Sequence, residues 1–463
     1  MYKINFFNFQ ERKDNYLITN DFGKFLFIDK KNFDALVNKE ELDEDVKKEL
    51  LEKNFIYEES EELFSIKKCL ELRQFKGYLL MPTILHIFVV SKNCNFNCIY
   101  CQAGHLSQGK NYCMDKATAK AAVDIALQSP SKYLTFEFQG GEPLTNYEII
   151  KYIVEYSKEV AQNKIIEYNI VSNLTLLTDE MIEFFMNNGI SVCTSIDGDE
   201  KLHNLNRPYV NGNSYETTVE KIRKLQKLGG QVGAIETTTK FSLNKYKEIV
   251  DEYINLGMDS IFIRPLTKLG KAKDNWEKIG YTAEEFLDFF KNALNYIICL
   301  NKKGIFISEG HSLIFLKKIL TNKTVNYMEL RSPCGGAIGQ LAYYYDGNIY
   351  TCDEGRMLSE MGNDSFLLGN VFESNYSELM ESDCTKAMCI ASCLECIPFC
   401  HSCVYHPYCG TCPVINLAQD KNIFTKNSKE YRCKIYSGIL EILFDYIEND
   451  KETLDVFYRW VNQ

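Results

Sequence analysis

Three cysteines stand within eight residues, Cys94-Asn95-Phe96-Asn97-Cys98-Ile99-Tyr100-Cys101, in the pattern CxxxCxxC. Thiolates are the usual ligands of iron–sulfur clusters, and a four-iron cube takes four of them. A loop that supplies three leaves one iron with an open position, where a small molecule can bind and accept an electron. The rival ion is zinc, which as a structural centre asks for four closed ligands. No convincing fourth stands nearby, and His105 is read as incidental.

Much of the remaining cysteine lies near the other end of the chain. Cys334, Gly347 and Cys352 are spaced C-x12-G-x4-C, and Cys400, Cys403, Cys409 and Cys412 are spaced C-x2-C-x5-C-x2-C, with Cys433 after them. Cys384, Cys389, Cys393 and Cys396 fall between these groups. Taken alone, 384–433 also fits a pair of zinc ribbons. Cys193 and Cys299 lie in apolar runs and read as small core residues, while Cys69 and Cys113 read as inert thiols.

Elements must hold these groups in place. From residue 83 to about 266, strand-like runs (84–90, 134–138, 165–171, 191–196, 232–237, 261–264) alternate with amphipathic helical runs such as 147–160, 179–187 and 217–228. Repeated βα units imply a parallel sheet with helices outside it. Six units are too few for a closed eightfold barrel, so the fold class is α/β with a partial (β/α)6 barrel. The first cysteine loop follows the first strand, at the end of the sheet where such folds gather their chemistry. Before the barrel, 15–20 and 24–29 form a hairpin around Asp21-Phe22-Gly23, followed by helices near 31–38 and 43–53 and a strand at 54–58. The acidic run 58–62 reads as a solvated connector. The resulting division is 1–80, a small α+β module of winged-helix or leader-recognition type; 83–310, the barrel; 330–440, a cysteine-rich domain; and 441–463, a C-terminal helix. An exposed hairpin edge in the first module can accept an extended peptide as an added strand.

Composition narrows the function. Fifty-two Lys and Arg stand against 63 Asp and Glu, a formal charge of −11, which repels phosphate and argues against a broad nucleic-acid-binding face. The longest apolar stretch, 78–91, is short for a membrane span and is broken by Pro82 and His86. The opening MYKINFFNFQ lacks a signal-peptide pattern, so a cytoplasmic, membrane-free protein is expected. In that reducing setting 18 cysteines point to metal or chemistry rather than disulfides.

The cysteine loop resembles that of the radical S-adenosylmethionine (SAM) enzymes, in which an aromatic residue precedes the last cysteine, here Tyr100. Gln139-Gly140-Gly141-Glu142-Pro143 matches the family's Gly-Gly-Glu motif, which holds the methionine amino group of SAM. Ser172-Asn173, Ser195-Ile196-Asp197-Gly198 with His203 and Arg207, and Arg264-Pro265-Leu266 look like later strand-end segments of the family. The resemblance implies that Ser195 meets the SAM ribose, with Asp197 and Arg207 beside it, and that the backbone at Leu266 meets adenine. SAM would chelate the open iron, and one-electron cleavage of its sulfonium would yield a 5′-deoxyadenosyl radical that abstracts hydrogen from substrate. The later cysteines closely resemble the auxiliary-cluster domain called SPASM, although the last C-x2-C stands where the family has C-x3-C. By that resemblance Cys334, Cys352 and Cys412 ligate one auxiliary four-iron cluster, and Cys400, Cys403, Cys409 and Cys433 ligate another, giving three [4Fe-4S] clusters in all. The first auxiliary set lacks a fourth ligand, since Gln340 stands where some members carry cysteine.

Such a pairing implies an enzyme acting on a peptide, with a flavodoxin- or ferredoxin-type electron donor and a leader-bearing precursor peptide as partners. Segments such as Cys352-Asp353-Glu354-Gly355-Arg356-Met357-Leu358 look like maturases of ribosomally made peptides, among them those of His-Xaa-Ser repeat systems. The expected activity is a thioether or carbon–carbon cross-link. The alternative is a sulfatase-type maturase forming formylglycine, in which Asp353 is the catalytic base; Gln139 is expected to face substrate. A zinc-binding interaction protein without turnover is the rival from another class.

Overall fold

The computed structural model describes residues 2–104, 112–321, 323–424 and 430–463; His105 lies outside them. The N-terminal region holds strands β1 (Lys3–Ile4), β2 (Asn8–Glu11), β3 (Asn15–Thr19), β4 (Phe25–Asp29) and β5 (Ile56–Tyr57). The middle holds β6 (Leu85–Ser91), β7 (Tyr133–Gly140), β8 (Ile165–Val171), β9 (Ile190–Ser195), β10 (Val232–Thr237), β11 (Ser260–Arg264) and β12 (Ser308–Glu309). Strands β13 (Gln340–Tyr343), β14 (Asn348–Tyr350) and β15 (Leu367–Asn370) follow.

Alternation builds the barrel wall. In β7, Leu134, Phe136 and Phe138 are buried against the outer helices, while Thr135, Glu137 and Gln139 turn to the other face. Strands β6 to β12 are parallel and each lies beside its predecessor in sequence, so the wall is an open α/β half-barrel, as the repeated βα pattern implied. The strands expected from sequence appear within two residues, and 165–171 and 232–237 without change. Helix Asp179–Asn188 shows the local logic: Thr178 caps its first turn and Gly189, at φ 64°, closes it in the left-handed region that glycine tolerates.

The sheet does not stop at the barrel. β13 pairs in parallel with β6, Gln340 opposite Leu85 through Tyr343 opposite Phe88, and β14 and β15 continue antiparallel. One ten-stranded sheet therefore joins the strand that bears the first cysteine loop to the hairpin that bears Cys352. Ile87, Val89, Ala342, Tyr344 and Tyr350 form a separate apolar floor on its inner side.

The N-terminal three-stranded sheet has two covered faces. Ile18, Leu26 and Ile28 pack with Phe33, Leu36 and Phe55 in its own core. Leu17 is buried in the main core, and Phe25 and Phe27 meet Phe444 at ring distances of 5.3 and 6.3 Å. Arg12 pairs with Glu441, Asp445 and Glu448.

Four local expectations need correction. The acidic run does not stay a connector, because Ser60 caps a helix, Glu61–Phe75, whose first turn gains from Glu61 and Glu62. Cys299 is exposed, because its helix, Ala283–Lys302, turns Ile297, Ile298 and Leu300 inward instead. The strand at 54–58 is confined to Ile56–Tyr57. The final stretch is two helices, Tyr431–Asn449 and Lys451–Val461, parted at Asp450, whose carboxylate caps the second. No helix among the described residues is long and apolar enough to cross a membrane.

Candidate cofactor and substrate site

Cys94, Cys98 and Cys101 lie on the loop that leaves β6. Burial pushes the Cys98 thiol up to about 11, with Arg207 opposing and Cys101 adding. Cys94 is raised too, by burial and then by Glu142, Cys98 and Cys101. Three thiols on one loop are the donor chemistry that an iron–sulfur cluster takes, and ligation would hold them as thiolates. The donor set therefore fits a cluster held at three corners.

Three strand ends grip this loop. A Cβ at Gly140 would lie 2.2 Å from the Ser91 carbonyl, and one at Gly141 2.5 Å from those of Lys92 and Asn93, so only glycine permits the approach. Gly141 N–H then donates to Ser91 O at 2.8 Å and Glu142 N–H to Asn93 O at 2.7 Å. Asn173, beyond β8, donates to Asn95 Oδ1 at 2.8 Å. Beyond β9, Asp197 accepts the Tyr100 hydroxyl at 2.7 Å, and Arg207 Nη1 donates to the same hydroxyl at 3.1 Å.

These contacts change the expected roles. Asp197 is fully buried and also accepts Thr237 N–H at 3.3 Å, so together with Arg207 it braces Tyr100. The Glu142 carboxylate, 1% exposed, accepts Ser172 Oγ at 2.7 Å, Asn173 N–H at 2.8 Å and Leu144 N–H at 3.0 Å. It ties β7 to β8, which leaves the backbone of the Gly-Gly-Glu turn as the part that faces the loop. Ser195 lies at the end of β9, half-buried, and its hydroxyl has no partner among the described residues. The Leu266 N–H is spent on Tyr281 Oη at 2.6 Å, and its side chain is buried; a recess beside it is lined by Pro265, Thr267, Tyr431 and Tyr436.

Cys334, Cys352 and Cys412 are buried in one cluster with Met388 and Phe366. Burial raises all three; Glu354, Cys412 and Cys334 raise Cys352 further, while Cys334 and Glu354 raise Cys412 against Arg432. Cys352 caps helix Asp353–Ser359, its sulfur accepting Gly355 N–H at 3.3 Å. Cys400, Cys403, Cys409 and Cys433 form a second set. Cys400 is pushed up to about 12 by burial and then by Cys409, Cys403 and Glu430, and Cys433 to about 12 by burial and then by Cys409, Cys400, Cys403 and Glu430. The four other cysteines of this region do not form one group: Cys384 packs beside the first set, Cys389 lies near Arg331, and Cys393 and Cys396 are neighbours. Among the described residues no three or more such side chains close to the spacing of a single metal ion.

The barrel lumen is lined by charge. Asp353 accepts Arg356 Nε at 3.1 Å and Nη2 at 2.5 Å. Glu354 stands 3.8 Å from Arg264 Nη2, and Glu329 2.9 Å from Arg432 Nη2. Although burial pushes the Glu329 carboxyl up, Arg432 and Arg264 hold it down to about 2. Gln139 shares a face of β7 with Glu137, and its Nε2 donates to Glu137 Oε1 at 2.6 Å. Glu137, Glu354 and Glu329 are polar groups of this site that sequence reasoning did not single out. For Glu137 the signal was present, since it lies two residues before Gln139 and so shares its face.

The radical SAM superfamily profile matches residues 88–243. An uncharacterized protein of Methanocaldococcus jannaschii is 30% identical over 279 residues, 60% of this chain and 87% of its own. The cysteine-type anaerobic sulfatase-maturating enzyme of Clostridium perfringens is 25% identical over 386 residues, 80% of this chain and 98% of its own. Among solved structures, native anSMEcpe with bound AdoMet superposes with a TM-score of 0.69 at 21% identity, over 82% of this chain and all of that one. Streptococcus suis SuiB bound to precursor peptide SuiA gives 0.55 at 16% identity, over 92% of this chain and 99% of that one. At those identities the two structures speak for the fold.

Proposed function

Because the chain belongs to the radical SAM superfamily, we propose that this enzyme is a peptide maturase that installs a thioether or carbon–carbon cross-link in a ribosomally made precursor. The observation that supports this reading is that the first cysteine loop leaves β6 and Cys352 follows β14 of the same ten-stranded sheet, with the N-terminal sheet packed on the turn that bears Cys400 and Cys403. The N-terminal module, 1–80, docks the precursor in this reading, supported by its packing against the turn that bears Cys400 and Cys403.

Cys94, Cys98 and Cys101 hold the SAM-binding cluster in this reading. Cys334, Cys352 and Cys412 hold one auxiliary cluster, and Cys400, Cys403, Cys409 and Cys433 another. Bound there, SAM and its reduced cluster supply a carbon radical able to take hydrogen from an unactivated C–H bond. The protein's own part is positioning. Gly140, Gly141 and Glu142 fix the loop, Ser195 offers an open hydroxyl, Tyr100 is braced by Asp197 and Arg207, and Gln139 faces the peptide. Asp353 Oδ2, free of protein partners among the described residues, takes a proton from the substrate.

Formylglycine formation is the second reading, favoured by the 98% coverage of the sulfatase-maturating relative and by Asp353 directly after Cys352. Anaerobic reaction of the reconstituted enzyme with a neighbouring short open reading frame's peptide separates the two. A two-hydrogen loss without hydrazide labelling supports the cross-link, and a hydrazide-reactive aldehyde supports formylglycine. No peptide change beside rapid SAM cleavage overturns both.

A further inference from the structure

The lumen carboxylates and cations do not balance. Asp353 is matched by Arg356, Glu354 by Arg264 and Glu329 by Arg432. Glu137 has no cation of its own: among the described residues its carboxylate accepts only the neutral Gln139 amide, at 2.6 Å on Oε1, and Oε2 accepts nothing. Its place in the wall is fixed by register. It lies opposite Ile87 of β6, which belongs to the apolar floor, and opposite Asn169 of β8. The side chains on either side of it in β7, Phe136 and Phe138, are fully buried on the outer face, so the carboxylate cannot turn away from the lumen without a register shift.

The Glu137 side chain is partly exposed, so its Oε2 stands open on the lumen face, where a charged donor can reach it. Burial pushes the Glu137 carboxyl above its ordinary range; the Gln139 hydrogen bond opposes the shift, Asp353 adds to it and Arg264 opposes it. A cationic donor entering from the open side opposes that shift as Arg264 does.

We propose that Glu137 is a specificity-determining residue of the lumen, receiving through its open Oε2 a cationic side chain, Arg or Lys, carried by the substrate peptide close to the residue that reacts. The inference rests on the peptide-maturase reading and adds the charge of the substrate to it. A guanidinium or ammonium there makes a charge-assisted hydrogen bond in a low-dielectric wall, and a neutral isostere forfeits it.

The test uses the cluster-loaded full chain with SAM and short labelled peptides bearing one Cys. In each, a single Arg stands one, two or three residues to either side, and a matched peptide carries citrulline instead. At least one Arg placement is expected to bind about ten-fold tighter than its citrulline partner, and E137Q, which preserves the bond to Gln139, is expected to erase that difference without weakening the citrulline peptides. E137D should retain the preference. An Arg preference that survives in E137Q, or equal binding of every Arg and citrulline pair, overturns the inference and leaves the maturase reading standing. Binding of no peptide overturns both.

Discussion

Tyr100 gives its hydroxyl to Asp197, 2.7 Å to Oδ2 and 3.0 Å to Oδ1, and takes a hydrogen bond from Arg207 at 3.1 Å. The aromatic residue next to the last cysteine of the loop is thus anchored to the end of β9, and the geometry of the first thiol set depends on a buried polar triad. Removing the hydroxyl in Y100F leaves an acceptor and a donor short of partners in the interior, a cost of about 1–3 kcal/mol each. Y100F is expected to lose iron from the first site during gel filtration and to cleave SAM at least about ten-fold more slowly. Iron content and cleavage equal to those of the native chain would show that Tyr100 acts only as a packed ring.

The three thiol sets are physically separate, so they can be emptied separately. Replacing Cys94, Cys98 and Cys101 with Ala should abolish 5′-deoxyadenosine formation while iron bound by the cysteine-rich region remains. The check is iron and sulfide analysis beside product chromatography of anaerobic protein. SAM cleavage that persists in the triple variant places the reductive site elsewhere.

Asp353 is held by Arg356 through one oxygen, which leaves the other to take a proton. D353N keeps an acceptor for Arg356 and removes the base. General-base catalysis is worth roughly 10²–10⁴ in rate, so peptide turnover should fall about 100-fold while peptide-independent SAM cleavage stays near the native rate. Equal losses in both would mean that the change disturbs the Cys352 helix cap, not proton transfer.

How much of this was legible depends on whether the determining contact is local. CxxxCxxC can be read because ligand chemistry fixes residue type and spacing within one loop, and the Gly-Gly-Glu turn because a Cβ at Gly140 has no room. The pairing of β13 with β6 could not be read, because its partners lie some 250 residues apart and Gln340–Tyr343 carries no signal of which edge it joins. Residue type at a motif position was likewise clearer than its contacts: nothing in the spacing of Tyr100 and Asp197 announced their hydrogen bond. The N-terminal hairpin holds a different lesson. Phe25, Leu26, Phe27 and Ile28 are apolar without alternation, the mark of a strand covered on both faces, and the structure buries Leu26 and Ile28 on one side and sets Phe25 and Phe27 against Phe444 on the other.

That packing couples the N-terminal sheet to the second auxiliary thiol set. Asn8 Nδ2 donates to the carbonyls of His401 and Cys403 at 3.0 and 3.1 Å, and Thr19 Oγ1 to that of Val404 at 2.7 Å. The turn bearing Cys400 and Cys403 therefore takes part of its shape from residues nearly 400 positions earlier. N8A combined with T19V should lower the iron retained by that set while leaving SAM cleavage at the first loop largely intact. Full iron loading with native electron paramagnetic resonance signals would show that the turn is self-sufficient.

A final prediction concerns two buried groups on one helix end with opposing effects. Glu309 caps helix Gly310–Leu320, its carboxylate accepting Ser312 N–H at 2.7 Å, His311 N–H at 3.0 Å and Ile263 N–H at 3.3 Å. Burial outweighs those donors and pushes its carboxyl up to about 7. Between its unfolded value of 4.5 and about 7 the folded state holds the extra proton, so this group makes stability fall as pH rises, by about 1.4 kcal/mol per unit. Burial pushes His311 down to about 4, although Glu329 and the Ile263 carbonyl oppose the shift. Between about 4 and its unfolded value of 6.5 the unfolded state holds the extra proton, so His311 makes stability rise with pH at a similar rate. The two slopes nearly cancel across pH 5 to 6.5 in the native chain. E309Q should therefore unmask a stability that climbs with pH relative to the native protein, and H311N one that falls, each by about 1 kcal/mol per unit after allowance for relaxation. Denaturant midpoints taken from pH 5 to 7.5 as differences from the native chain check this. Parallel curves for all three proteins would mean that both groups keep their ordinary proton affinities inside the fold.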